Sequence, residues 1–360
     1  MKTLHDDLFT VLDSVEVYSP TRFSLQGAVH EVHAPITSDG PSPTNADEPP
    51  LVPELARRLY GQFYTRRTTP NPGPLADRLA RRDLVASLST SNHGRGTSDP
   101  GWTIRRLDED GRIVVAKDEL NFWVHPTSLR VPGGEIRPGA SCWVRIPKEK
   151  RYLQPGFYTA LGDEADDAAG DDVVMPIVRY YWHLTPAAAV PLVAAATTLL
   201  NAAEVPFRLK VLSDPNAFYR ADAGVLYLRR PCLERIGDAL ARIYAALAHG
   251  LRPEVPLFTK RLAAGLGVAE DPDGEISFGQ HRCRLVAQAL GQAFVAGRCT
   301  RNQRATALAE AFQRAGLDPL RPHLGPGSRN DYDMLLGRAK GGDQSGVPCV
   351  GVRTSGGGVC

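Results

Sequence analysis

Residues 205–228, VPFRLKVLSDPNAFYRADAGVLYL, restrict the possible folds of this chain more than any other stretch. Branched and aromatic residues predict a strand over 207–211, a turn through 213–216 and a second strand over 224–228, and such strands require a half-buried sheet. Side chains alternate along a strand, so Arg208 and Lys210 share one face while Leu209 and Val211 share the other. One face is therefore cationic, with Arg220 closing the connecting loop and Tyr227 in the next strand. A lysine, an arginine and a phenol brought together in this way suit a phosphate-bearing substrate whose carbon acid must lose a proton. An ordinary solvated sheet face with snorkelling Lys and Arg stems has the same pattern.

The surrounding composition limits the alternatives. A chain of 360 residues, 42% of them hydrophobic, is long enough for one large domain or two ordinary ones with a real core. Its 42 basic and 40 acidic residues leave a net charge of +2, which argues against a general nucleic-acid or membrane binder. Any anion site must be local. The cysteines at 142, 232, 283, 299, 349 and 360 form no CxxC pair, so neither a disulfide framework nor a zinc site is expected. The segment MKTLHDDLFT lacks a signal-peptide pattern and no apolar run reaches spanning length, which makes cytoplasmic residence the default expectation.

Along the chain, Leu4, Leu8, Phe9 and Leu12 predict an amphipathic helix, followed by strand-like sequence. Residues 38–53 read as a linker. Helices are expected over 54–64 and 75–89, the latter with Arg78, Arg81 and Arg82 on its wet side. Strand patterns follow, with a hairpin at Asp110-Gly111; the Gly-rich loop before it has no GK[ST] and reads as structural. The acidic stretch 163–172 marks a seam. Beyond it come a strand (175–184), a helix (185–203) with Thr185 as N-cap, the 205–228 stretch and a helix (231–251). This order predicts an α+β fold, an antiparallel-rich mixed sheet with helices packed on one face. Ser277-Phe278-Gly279 leads a helix whose first turn holds His281 and Arg282, where an anion at the helix N-terminus and plain structure are both open. A last helix spans 300–317, and a disordered tail is expected from about 340. The expected regions are 1–160, 173–338 and 340–360.

The ordered run NHGRG, GW, PKE, PGFY, RYYW, FRLKV, YRADAGVLYL and SFGQHR resembles the HopA-type effector family over roughly residues 50–335. More distantly, RLKV, YR and VLYL resemble the core of the bacterial effector phosphothreonine lyases, which remove phosphate from phosphothreonine by elimination. HopA-type members also occur as dehydration enzymes beside kinases in class V lanthipeptide and thioamitide pathways. The resemblance implies a phosphothreonine-lyase-like core with an N-terminal helical and β extension. It implies Lys210 as general base, Arg220 and Arg179 as phosphate-binding residues and Tyr227 as a tyrosine near the substrate. Tyr181 stands where the effectors have an acid histidine; that departure leaves the acid open between Tyr181 and His183. Lys260 and Arg282 match the remaining phosphate-binding positions.

Elimination from phosphoserine or phosphothreonine needs a base for the α-proton, a group to steady the enolate and cations for the departing phosphate. No metal or organic cofactor is required. Such a lyase would make dehydroalanine and dehydrobutyrine in a ribosomal precursor peptide, with a separate kinase as partner, since VAIK, HRD and DFG are absent from this chain. An effector lyase acting on a folded host phosphoprotein is the second reading. A noncatalytic phosphopeptide-binding or kinase-activating scaffold is the third. Lys148 and Arg151 are expected to be solvated charges, His125 and His281 to be structural, and His93 to lie at the surface of its loop.

Overall fold

The cationic stretch forms two neighbouring strands inside a seven-stranded sheet. The structure, a computed structural model, describes residues 3–32, 48–65, 74, 76–164, 176–272 and 276–332. Its helices are α1 (Asp6–Ser14), α2 (Leu51–Leu59), α3 (Arg78–Ser91), α4 (Ala189–Ala202), α5 (Leu233–Leu247), α6 (Phe278–Val295) and α7 (Arg301–Arg314). Strands β1 (Val15–Ser19), β2 (Arg22–Leu25) and β3 (Ala28–Glu31) make a small sheet. A five-stranded sheet of order β6-β5-β4-β8-β7 is built from β4 (Thr97–Leu107), β5 (Ile113–Lys117), β6 (Leu120–Val124), β7 (Leu129–Arg130) and β8 (Ser141–Ile146).

The main sheet comprises β9 (Glu149–Gln154), β10 (Phe157–Leu161), β11 (Ile177–Trp182), β12 (Phe207–Leu212), β13 (Gly224–Arg229), β14 (Lys260–Ala263) and β15 (Leu266–Glu270). Its order is β14-β15-β11-β13-β12-β10-β9, and every pairing in it is antiparallel. The α+β class follows from the sequence pattern. The sheet begins at residue 149, before the seam expected at 163–172, because β9 and β10 pair onto β12. An N-terminal region ending at 160 therefore cuts through the sheet.

Helices α4 and α5 lie on one face, where Leu192, Val193, Ala196, Ile236 and Leu240 pack against Leu209, Val211, Leu226 and Tyr180. The placement on a single face does not hold for the helices as a whole. On the opposite face Tyr181, Val225, Tyr227 and Ala269 pack with Phe278 and Val286 of α6, Leu55 and Leu59 of α2, and Leu308 and Phe312 of α7. The apolar stripes of α2 and α6 need a partner, and the β15–β11–β13 side of the sheet supplies it. Arg208, one strand further on, stays exposed.

Local differences have local causes. The helix expected over 54–64 ends at Leu59 and continues as a wide π turn, Tyr60–Tyr64, which turns Phe63 and Tyr64 inward. The Thr185 hydroxyl donates to the carbonyl of Gly250 and does not cap α4. Both later helices open on capping boxes, Ser277 with Gln280 and Thr300 with Gln303. The Asp110-Gly111 turn joins β4 to β5, with Gly111 at φ +79. The expected tail from 340, most of the linker 38–53 and most of the acidic stretch lie outside the described residues.

Candidate functional site

Register decides which of the expected side chains meet. Across the main sheet, Leu161 pairs with Arg208, Arg208 with Tyr227, Tyr227 with Arg179 and Arg179 with Ala269. These side chains therefore form one row on the same face. The next row, two residues along, runs Thr159, Lys210, Val225, Tyr181 and Gly267. Lys210 and Tyr181 are thus two strands apart, roughly 9–10 Å between Cα atoms. A cation-rich patch results, with a phenol at each level.

The Tyr227 ring is the spacer of the first row. The Arg208 guanidinium carbon lies 4.3 Å from its centroid, that of Arg179 4.9 Å, and the Lys210 ammonium 5.7 Å. The Lys210 Nζ also sits 4.4 Å from the Phe157 ring and donates to Gln154 Oε1 at 2.8 Å. Arg220 reaches the same patch from the β12–β13 loop, with its guanidinium 5.7 Å from the same Phe157 ring. Lys210, Arg179, Tyr181 and Tyr227 thus share one face of the sheet, and Arg220 reaches it from the loop.

Two carboxylates orient the arginines. Asp222 accepts from Arg220 Nε at 2.8 Å and from its NH2 at 2.7 Å, a bidentate pair with both partners largely buried. Asp271 lies 2.5 Å from Arg179 NH2. Burial disfavours the Arg179 cation, but Tyr181, Tyr227 and Asp271 outweigh it and hold the guanidinium above its ordinary pKa. Burial likewise pushes the Asp222 carboxyl up, and Arg220 together with Lys210 overcomes this to leave it below the usual carboxylate range. The Arg179 Nε and the Thr159 hydroxyl are buried without a hydrogen-bond partner.

Tyr181 is buried at the inner margin of the patch, edge-on to Tyr64 with ring centroids 6.1 Å apart. Burial raises its phenol pKa, with Arg179 opposing, so the group keeps its proton at neutral pH. His183 is one row further along the same face. It is buried, with Nδ1 3.2 Å from the Glu254 carbonyl oxygen. Desolvation lowers its pKa below the ordinary histidine value, so the ring is neutral at pH 7 and has no extra proton to give.

The other two expected phosphate ligands stand apart. Lys260 pairs with Val268, whose side chain faces α5, so Lys260 is directed to the opposite face, where its Nζ donates to Asn330 Oδ1 at 2.8 Å. Arg282 lies beneath Tyr181, and its guanidinium is taken up by the carbonyls of Pro322 and Leu324 and by His281 Nδ1. Burial pushes it down to about 10, against Tyr181, Glu270 and Asp271, so it remains a buried cation at neutral pH. The α6 N-terminus is closed by its own capping box. Neither arrangement offers an anion a free donor.

Residues 148–324 match the HopA1 effector protein family. That match covers just under half of the chain. All eight residues singled out in the sequence lie inside it, whereas the five-stranded sheet precedes it. Solved structures with similarity are the effector protein from Pseudomonas syringae pv. tomato strain DC3000 and that from Pseudomonas syringae pv. syringae strain 61. Each covers 76% of this chain and 96% of its own at 15% identity, with TM-scores of 0.45 and 0.41. No curated protein matches the chain.

Sequence reasoning missed Arg208 as a site member, along with Asp222, Asp271 and Thr159. Arg208 was legible from its two-residue spacing to Lys210, and Asp222 from its spacing to Arg220. Asp271 and Thr159 arrive only through strand pairing and carry no local signal.

Proposed function

We propose that the HopA1-family region is a lyase that eliminates phosphate from phosphoserine or phosphothreonine in a peptide, leaving dehydroalanine or dehydrobutyrine. The observation that carries this reading is the row structure of the sheet, which gathers Lys210, Arg179, Arg208, Tyr181 and Tyr227 on one face around unpaired Arg179 Nε. Lys210 takes the α-proton, the Cα–H electron pair becomes the Cα=Cβ bond, and the Cβ–O bond breaks with its pair leaving on phosphate. Arg179, Arg208 and Arg220 bind the phosphoryl oxygens and stabilise the charge that grows there. Tyr181, the buried phenol that retains its proton, acts as donor to the departing oxygen. Tyr227 fixes the spacing between two of the guanidinium groups. A base in this step must be a neutral amine.

In this reading the substrate is a ribosomal precursor peptide phosphorylated by a separate kinase, with which the lyase acts as a cytoplasmic pair. Elimination from a host phosphoprotein would use the same residues. One observation favours a noncatalytic phosphopeptide binder: Lys210 is seated on Phe157 and donates to Gln154 as an ammonium does. Incubating a phosphothreonine peptide with the protein separates these readings. Elimination removes phosphoric acid, a loss of about 98 Da by mass spectrometry, and Lys210→Ala is expected to leave the phosphopeptide intact. Tight binding with unchanged mass supports the binder, and complete dehydration by Lys210→Ala removes Lys210 as base.

A further inference from the structure

At the end of the main sheet where β10 and β13 finish and β11 and β12 begin, a cavity of about 540 Å³ opens against the five-stranded sheet. That volume falls in the range of ordinary ligand pockets, about 300–1,000 Å³. Its walls come from both sheets and are mixed in character: Trp102, Leu120 and Ile146 on one side and Leu161 and Ile177 on the other supply apolar surface, and Asp118, Glu164 and Arg229 also line it. The polar groups that the five-stranded sheet contributes through Asp99, Trp102 and Lys117 are engaged with each other. Lys117 Nζ lies 2.8 Å from Asp99 Oδ1, and Trp102 Nε1 donates to Asp99 Oδ2 at 2.7 Å. An ion pair satisfied in this way has little left to offer a charged ligand, whereas the apolar surface of the walls rewards an apolar one.

The cavity is continuous with the cationic patch, because Arg208 and Tyr227 line both. Arg208 precedes Lys210 by two residues on the same strand, which sets the cavity mouth about 7 Å from the Lys210 position. An extended peptide advances about 3.3 Å per residue. A chain whose phosphorylated residue sits over Lys210 therefore reaches the mouth after two or three residues.

We propose that this cavity is a specificity subsite for a large apolar side chain of the phosphopeptide, aliphatic or aromatic, two or three residues from the phosphorylated one. The inference rests on the phosphopeptide reading of the patch and adds a sequence preference to it. It also gives the five-stranded sheet, which lies outside the family region, a direct role in choosing the substrate.

The test uses the full chain and paired synthetic phosphothreonine peptides, one with Leu or Phe at the second and third positions on either side and one with Ser and Gly there. Binding is read by fluorescence anisotropy and elimination by mass. Burying one such side chain is expected to tighten binding about tenfold or more. Ile146→Trp, which fills the cavity, and Leu120→Gln, which strips an exposed apolar residue from its rim without adding charge, are expected to erase most of that preference. Both should leave the weaker Ser/Gly peptide bound as before, with folding checked by circular dichroism. Equal affinity for the two peptides, no binding of either, or a preference that survives Ile146→Trp in a folded protein overturns the subsite. If the apolar peptide is preferred but its mass never changes, the lyase reading fails and the subsite stands. Elimination without preference has the reverse meaning.

Discussion

The guanidinium groups of Arg220 and Arg179 point into the patch because Asp222 and Asp271 hold them from behind. Removing one partner of a largely buried pair leaves an uncompensated charge, at a cost of about 3–5 kcal/mol. Asp222→Ala is accordingly expected to lower the urea midpoint by a clear margin and to weaken phosphopeptide binding, since Arg220 loses its bidentate anchor. The pH dependence has a definite sign. Asp222 has a folded-state pKa below its unfolded value of about 3.9, so the stability from this pair is fully present above about pH 4 and is lost as pH falls through the depressed value. Acid unfolding followed by fluorescence should shift to higher stability at pH 5 than at pH 3 in the parent protein, with a smaller difference in Asp222→Asn. Arg220 and Asp222 were legible as neighbours two residues apart. The Arg179–Asp271 pair was not, because β15 brings the loop after Glu270 beside β11 only once the sheet has formed.

At the scale of elements, the first turn of α6 sets the inner wall of the site. Gly279 lets the Tyr64 ring pack directly on the helix backbone, and a Cβ there would fall 2.4 Å from ring atoms of Tyr64. Tyr64 in turn stands edge-on to Tyr181. Gly279→Ala must push the ring aside, an overpacking cost of about 1–3 kcal/mol. The expected result is a lowered melting temperature together with reduced elimination, read as kcat falling more than KM rises, because the displaced ring disturbs Tyr181 more than the arginines. A destabilised variant with unchanged kcat would separate Tyr64 from the chemistry. Long periodic helices and the 205–228 strands were readable from sequence, as were the start of α6 at Ser277 and the Asp110-Gly111 turn. The hairpin β14–β15 was not: LGVAE is short, contains glycine and is buried throughout, so it shows no alternation. The resemblance implied Lys260 as a phosphate ligand, and the register of this hairpin, which carries no local signal, turns that side chain to the other face.

For the whole molecule, the family region at 148–324 coincides with the main sheet and α4–α7 almost completely, yet it does not close its own core. Leu51, Val52, Leu55 and Leu59 of α2 are each 0% exposed and share a core with α6 and Tyr181. At about 1.5–3 kcal/mol for each fully buried side chain, these four represent about 6–12 kcal/mol, comparable with the entire net stability of about 5–15 kcal/mol of an ordinary domain. The five-stranded sheet differs, having its own small core of Trp102, Ile104, Ile113, Val115, Cys142 and Val144. A chain of residues 97–332 keeps that sheet and every residue of the patch but uncovers the α6 stripe and also removes α3, whose Leu88 is buried in the core shared with α4 and α5. It is expected to lose cooperative urea unfolding and near-ultraviolet circular dichroism while retaining helical and strand signal, and to bind hydrophobic dye. Cooperative unfolding of that shortened chain at the parent midpoint would mean that α1 and α2 only cover the face. The N-terminal extension would then be free to serve partner docking alone, whereas its loss of cooperativity makes the extension part of the site, through Tyr64 and the phenol it supports.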